Sequence, residues 1–405
     1  MRSNKHPCIQ GWALAISVVL VLAGCLGGGS GTSSVSNNSS PGAAQNVLPI
    51  SVDAGPAKTI NIPFVNVTIC APGTSNCQTI DHVIIDTGST GLRIISSVLT
   101  PLLATALTQQ TISNGSPLVE CYTFADGYVW GPVKNADVTL GGESVDSLAI
   151  QVIGDPGFRS VPHACSNSGP AENSVQTFGG NGILGLAVFQ QDCGPYCVQS
   201  AIPGTYYSCT GASCLAISVD LAQQVQNPVG LLASDNNGVI IDLPSVPATG
   251  AATASGSLFL GIGTQANNGL GSAVVFALDP NYGTLTTMFN GQSYSGFNGG
   301  FIDSGSNGIF FPDGATPVCS SGFYCPVSPQ QLTATNLGTN GNSGTVNFTV
   351  ANADNLLNTA DTAFSNLAGP NSSFDWGLPF HFGRRVFTAI EGKNSPGGSG
   401  PYVAY

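Results

Sequence analysis

Two stretches of the chain carry residues suited to acid–base chemistry. Residues 83–92 read V-I-I-D-T-G-S-T-G-L, and residues 300–309 read G-F-I-D-S-G-S-N-G-I. With Asp86 set against Asp303, both become Asp-(Thr/Ser)-Gly-Ser-x-Gly-(Leu/Ile) behind an aliphatic run. A β-branched run ending in Asp, a small hydroxyl residue and Gly describes a strand that delivers a carboxylate to a tight turn. The repeat implies two similar lobes, each presenting one carboxylate to a shared cleft. Two carboxyls brought close cannot both ionise cheaply, so one keeps its proton and the other gives it up. Such a pair is an acid and a base at once. It can activate a water and protonate a carbonyl or a leaving group. Two purely structural Asx turns are the plainer alternative, and the recurrence of the flanking Ser and Gly at matching offsets argues against it.

The elements that position these turns follow from the pattern around them. Residues 59–70 alternate and predict a strand, and residues 78–86 return as the strand that carries Asp86. Thr100 and Pro101 open a short helix, with Thr as N-cap and Pro at the first helical position. Residues 120–133 predict two aromatic strands around Ala125-Asp126-Gly127. Further strands are expected at residues 147–154, 239–243, 257–261, 273–278 and 285–289, with residues 300–303 delivering Asp303. Ile217, Leu221 and Val225 lie at i, i+4 and i+8 and predict a surface helix over residues 218–226. Leu356, Ala360, Phe364 and Leu367 predict a second helix over residues 355–367, ended by Gly369-Pro370.

These motifs resemble those of the pepsin-like, two-lobed aspartic peptidases. N-G-I-L-G-L at residues 181–186 is similar to the segment that crosses behind the family's first aspartate. D-W-G-L at residues 375–378 occupies the place of its second-lobe counterpart, and F-G-R-R-V-F-T-A-I at residues 382–390 resembles the last core strands. The resemblance implies an all-β, bilobal pepsin-like acid protease fold, two related β-barrel lobes with a central cleft. The first lobe would span residues 47–235 with Asp86 and a flap, the second residues 236–405 with Asp303. The chain also resembles a bacterial lipoprotein family of unknown function, DUF3443, on that fold.

The roles implied are those of a catalytic dyad, Asp86 and Asp303, hydrolysing peptide bonds without metal or cofactor. Thr87 and Ser304 would tie the two turns together, Ser89 and Ser306 would hold the outer carboxylate oxygens, and Gly88 and Gly305 would turn backbone N–H groups toward the carboxyls. The hairpin at residues 120–133 matches the flap, which folds over an extended peptide substrate. Phe124 falls near the place of the flap tyrosine, Tyr122 and Tyr128 are the hydroxyl-bearing candidates, and Gly127 sits at the tip. Arg93 stands where vertebrate members have a Trp that supports the flap. It either touches the flap, lowers a nearby carboxylate's pKa, or points to solvent.

Composition fits this reading. The chain has 405 residues, enough for two domains. Gly numbers 53 and Pro 26, while charged residues are only 7%, which suits a turn-rich, exported β protein. Lys and Arg together number 9 against 21 acidic residues, so no basic face exists for nucleic acid. The sequence shows no G-x-S-x-G elbow, H-E-x-x-H or P-loop, which removes the commoner hydrolase and nucleotide chemistries.

The N-terminus reads as an address. Arg2 and Lys5 precede an apolar run at residues 12–22 that is too short to span a bilayer, and L-A-G-C resembles a bacterial lipobox ending at Cys25. Residues 1–24 are therefore expected to be a lipoprotein signal peptide, and residues 25–46, rich in Gly, Ser and Asn, a flexible tether. The expectation is a monomer on the bacterial cell envelope, held to the lipid membrane by an acyl anchor on Cys25. The tether has no basic residue like those of a pepsin-type prosegment, which points to activity nearer neutral pH. Of 12 Cys, removing Cys8 and Cys25 leaves ten, expected as disulfides in an exported chain. Near pairs are Cys70 with Cys77, Cys193 with Cys197, Cys209 with Cys214, and Cys319 with Cys325; Cys121 and Cys165 remain. Nested pairing among Cys193, Cys197, Cys209 and Cys214 is an alternative, as is a zinc site, though no His lies near.

Three functions remain open on sequence. One is an aspartic endopeptidase. The second is a non-catalytic pepsin-fold protein that binds peptide or glycan, and the third is a structural envelope lipoprotein whose two aspartates do not meet.

Overall fold

The computed structural model describes residues 45–405; the expected signal peptide, Cys25 and the expected tether up to residue 44 lie outside the described residues. Short aliphatic runs broken by Gly, Pro and Asn give short strands, and strands make most of the fold. Val47–Val52 pairs antiparallel with Ala254–Leu260 along its whole length and with Pro63–Cys70 on its other edge. Gly238–Leu243 and Arg384–Ala389 extend the same sheet. The two halves of the chain thus share one sheet.

The cores differ in kind. Around Asp86 the packing is aliphatic, with Val67, Ile85, Leu92, Ile94 and Leu184 fully buried. Around Asp303 it is aromatic. Phe289, Phe311, Phe374 and Trp376 form a contact chain with ring centroids 5.1–5.5 Å apart.

Each aspartate strand passes beside a second strand that crosses under its turn. Cys77–Asp86 runs parallel to Gly182–Leu186, which also pairs antiparallel with Thr90–Ile95 beyond the turn. Phe301–Ile302 runs parallel to Asp375–Trp376, which also pairs antiparallel with Ile309–Phe311. The crossing requires glycine. A Cβ on Gly185 would meet the Thr90 carbonyl carbon at 2.7 Å, and one on Gly377 the Gly308 oxygen at 2.1 Å. This explains the hydrophobic-Gly segments seen in the sequence.

Several expectations change. The strand expected from residue 59 begins at Pro63, because Asn61 takes a left-handed φ of 51°. Its amide instead accepts from Phe364 N and donates to the Asn307 and Phe364 carbonyls at 2.7–2.9 Å. The helix expected over residues 218–226 is one 3-10 turn, Leu221–Gln223. Val225 is buried while Leu221 is exposed, so the i, i+4, i+8 spacing does not define one face. The helix expected over residues 355–367 is confined to Ala353–Leu357, capped by Asn352. Phe364 and Leu367 are buried from an irregular segment beyond it. The cysteines pair as Cys70–Cys77, Cys121–Cys165, Cys193–Cys197, Cys209–Cys214 and Cys319–Cys325. Nested pairing is therefore not adopted, and the four cysteines at residues 193–214 have no free thiolate for zinc.

Candidate active site

The Asp86 and Asp303 turns are built alike. Gly88 N donates to Asp86 Oδ1 at 2.7 Å, and Ser89 Oγ donates to Oδ2. Gly305 N donates to Asp303 Oδ1 at 2.7 Å, and Ser306 Oγ donates to Oδ2 at 2.8 Å. The turns are cross-linked by hydroxyls. Thr87 Oγ1 donates to the Ile302 carbonyl (2.9 Å) and accepts from Ser304 N (3.0 Å), while Ser304 Oγ donates to the Ile85 carbonyl (2.8 Å) and accepts from Thr87 N (3.1 Å). Each hydroxyl spends one proton and receives one, so the buried network is balanced.

Glycine is needed next to each carboxyl. A Cβ on Gly88 would lie 2.7 Å from Asp303 Cγ, and one on Gly305 2.7 Å from Asp86 Cγ. The two carboxyls are nearly buried and within hydrogen-bonding reach of each other. Burial, then the Asp303 charge, holds the Asp86 carboxyl well above the usual carboxylate range. The pair therefore keeps one proton where isolated carboxylates would have lost both.

The carboxyls open into a cavity of ≈ 550 Å³. Phe124, Ala125 and Asp126 reach over it from the hairpin formed by Leu118–Thr123 and Tyr128–Leu140. Gly127 packs the hairpin tip against the following loop, where a Cβ would meet the Pro170 carbonyl at 2.5 Å. Tyr122 and Phe124 stack edge-on at 4.9 Å, and Phe124 meets Phe178 at 5.7 Å. Tyr128 is not on this side. Strand alternation places it with Cys121, Trp130 and Cys165 in a separate cluster, so it is not a cleft hydroxyl.

Arg93 does not point to solvent. Its guanidinium is fully buried and sits 3.7 Å from the Tyr122 ring centroid. It donates to Glu120 Oε1 (2.6 Å), Asp192 Oδ2 (2.8 Å) and the Thr90 carbonyl (2.5 Å). The one cation thus joins the hairpin, the disulfide-stapled loop after residue 190, and the Asp86 turn. Burial, then the Glu120 charge, pushes the Asp192 carboxyl well above the usual carboxylate range.

Three lining carboxyls were not singled out from sequence. Glu172 is pushed up to about 8 by burial and then by Asp126 at the hairpin tip. Asp375 follows Phe374 on the strand under the Asp303 turn, 6% exposed. Its Oδ1 has no hydrogen-bond partner among the described residues. The signal was available: with Gly185 set against Gly377, Asp375 falls where the first lobe has Ile183.

Over residues 42–405 the sequence matches the family described as "Protein of unknown function (DUF3443)". No curated protein matches it. Among solved structures the chain is similar to the crystal structure of an aspartic proteinase from Irpex lacteus, with a TM-score of 0.51 and 16% identity. The match covers 88% of this chain and 96% of that one. At that identity the likeness concerns the fold alone, and the fold is the bilobal, pepsin-like β architecture.

Proposed function

We propose that this chain, which belongs to the DUF3443 family, is an aspartic endopeptidase that hydrolyses peptide bonds with a water activated between Asp86 and Asp303. The observation that carries the reading is the paired geometry: two carboxyls, each held by a Gly N–H and a Ser hydroxyl, meet at the floor of one cleft. The ionised member takes a proton from the water as its oxygen attacks the peptide carbonyl carbon. The protonated member gives its proton to the carbonyl oxygen. The gem-diol then collapses: the carboxyl that took the water's proton passes it to the amide nitrogen, a gem-diol hydroxyl returns its proton to the other carboxylate, and the C–N bond breaks to leave a carboxylic acid and an amine. The hairpin carrying Phe124 and Asp126 covers the site and orders an extended strand beneath it. Water exclusion there strengthens the hydrogen bonds to the developing oxyanion.

In this reading a lipid on Cys25 holds a monomer to the bacterial cell envelope. Replacing Cys25 with Ser is expected to move the protein from the membrane fraction to the soluble one on cell fractionation; unchanged partition would remove the anchor from the proposal.

The direct test is cleavage of a mixed peptide library between pH 3 and pH 8 by the protein, Asp86→Asn and Asp303→Asn. Each substitution is expected to lower the rate by about 10²–10⁴-fold with the thermal unfolding curve retained. Turnover that survives both substitutions would sink the dyad.

A further inference from the structure

The wall of the central cavity carries five carboxyls among the described residues, Asp86, Asp126, Glu172, Asp303 and Asp375, and no Lys, Arg or His. The peptidase chemistry uses two of them. Asp375 is the most anomalous of the rest. It is buried beside Asp303, yet the Ser306 hydroxyl proton that could reach it is committed to Asp303 Oδ2, and Asp375 Oδ1 is left unpartnered. A buried carboxyl oxygen without a partner destabilises a fold. The first lobe shows what the position needs structurally, because its counterpart is Ile183, also in the cavity wall. Packing alone is therefore satisfied by an aliphatic side chain, and the carboxyl calls for another reason.

Its neighbours suggest what approaches it. Phe310 is paired directly across the strands from Asp375, and both face the cavity. An apolar ring beside an acid suits a side chain with a long methylene stem and a charged tip. We propose that Asp375 is the base of a subsite that takes a cationic side chain, lysine or arginine, from the substrate residue flanking the scissile bond on the Asp303 side. The stem lies along Phe310, and the ammonium or guanidinium pairs with the Asp375 carboxylate, which gives up its proton on contact. Asp126 at the hairpin end adds to the acidic wall that a basic peptide meets. A neutral side chain leaves the carboxyl unpaired, so discrimination exceeds what a change of one methylene could give.

This inference rests on the peptidase reading for its substrate, and its test separates the two. A peptide series in which one lysine or one norleucine is walked through every position is offered to the protein, to Asp375→Ile and to Asp375→Asn. Binding is measured by calorimetry and cleavage by mass spectrometry. The unmodified protein should prefer lysine over norleucine at one position by about 30-fold or more, the effect of a buried charge pair. Asp375→Ile should abolish or invert that preference, with its thermal unfolding curve retained. Equal affinity for the lysine and norleucine peptides at every position overturns the subsite, as does a lysine preference that Asp375→Ile and Asp375→Asn leave unchanged. Lysine-selective binding lost in Asp375→Ile, with no cleavage by any form, keeps the subsite and overturns the peptidase.

Discussion

Asp86 rests against Ile183 and a core of Val, Ile and Leu, with a buried Arg93 cluster tying its turn to the overhanging hairpin. Asp303 rests against Asp375 and a core of Phe, Tyr and Trp, with no comparable cation beside it among the described residues. The hydrogen bonds that hold the two carboxyls are nonetheless the same, atom for atom. Groups that must touch the reacting water are kept in symmetry, while the supports beneath them have diverged. One half-site is organised toward the flap, and the other toward an acidic floor.

The comparison can be broken first at the dyad, where either Asp→Asn substitution should remove nearly all turnover. The next largest effect should come from Arg93. Arg93→Met leaves Glu120 and Asp192 buried without their cation, and it should cost about 3–5 kcal/mol of stability in denaturant unfolding. The hairpin that carries Tyr122 should loosen as well, visible as faster amide exchange across Leu118–Thr123. Unchanged stability would mean that the cluster is not what binds the first half-site to the flap. The smallest effect sharpens the second half-site. Burial, then the Asp303 charge, holds Asp375 well above the usual carboxylate range, so the native state binds a proton that the unfolded chain has released. Its favourable contribution is complete below about pH 4, the unfolded value, and is lost as pH rises toward the native one. Asp375→Ile should therefore raise stability by about 1–3 kcal/mol at pH 7, with a smaller gain at pH 4. A gain independent of pH would show that the carboxyl is not the cause.

What the sequence made legible was local. An aliphatic run ending in Asp-(Thr/Ser)-Gly-Ser dictates strand and turn from its own residues, and close spacing pointed to the cysteine pairs adopted while leaving nesting open among Cys193, Cys197, Cys209 and Cys214. The two helices failed because apolar spacing of three or four residues also arises by chance in irregular chain. Phe364 and Leu367 are buried by tertiary packing, with no help from helical periodicity. Tyr128 depended on which face of a hairpin points to the cleft, and Asp375 on the register of a two-residue strand beside Asp303. Tyr128 cannot be read without knowing what lies across the sheet, whereas setting Gly185 against Gly377 already marks Asp375 as the odd residue of its segment.

The placement of the first strand has a consequence for how the protein is made. Val47–Val52 finds its longest partner in Ala254–Leu260, a segment more than half the described chain away. A nascent chain must hold that edge open until the partner emerges, although the pairings that surround Asp86 all lie within residues 63–186. Contacts of such long sequence separation raise the entropic barrier and slow folding. The edge of Val47–Val52 is meanwhile exposed to wrong pairing, a cost that lasts for as long as its partner is missing.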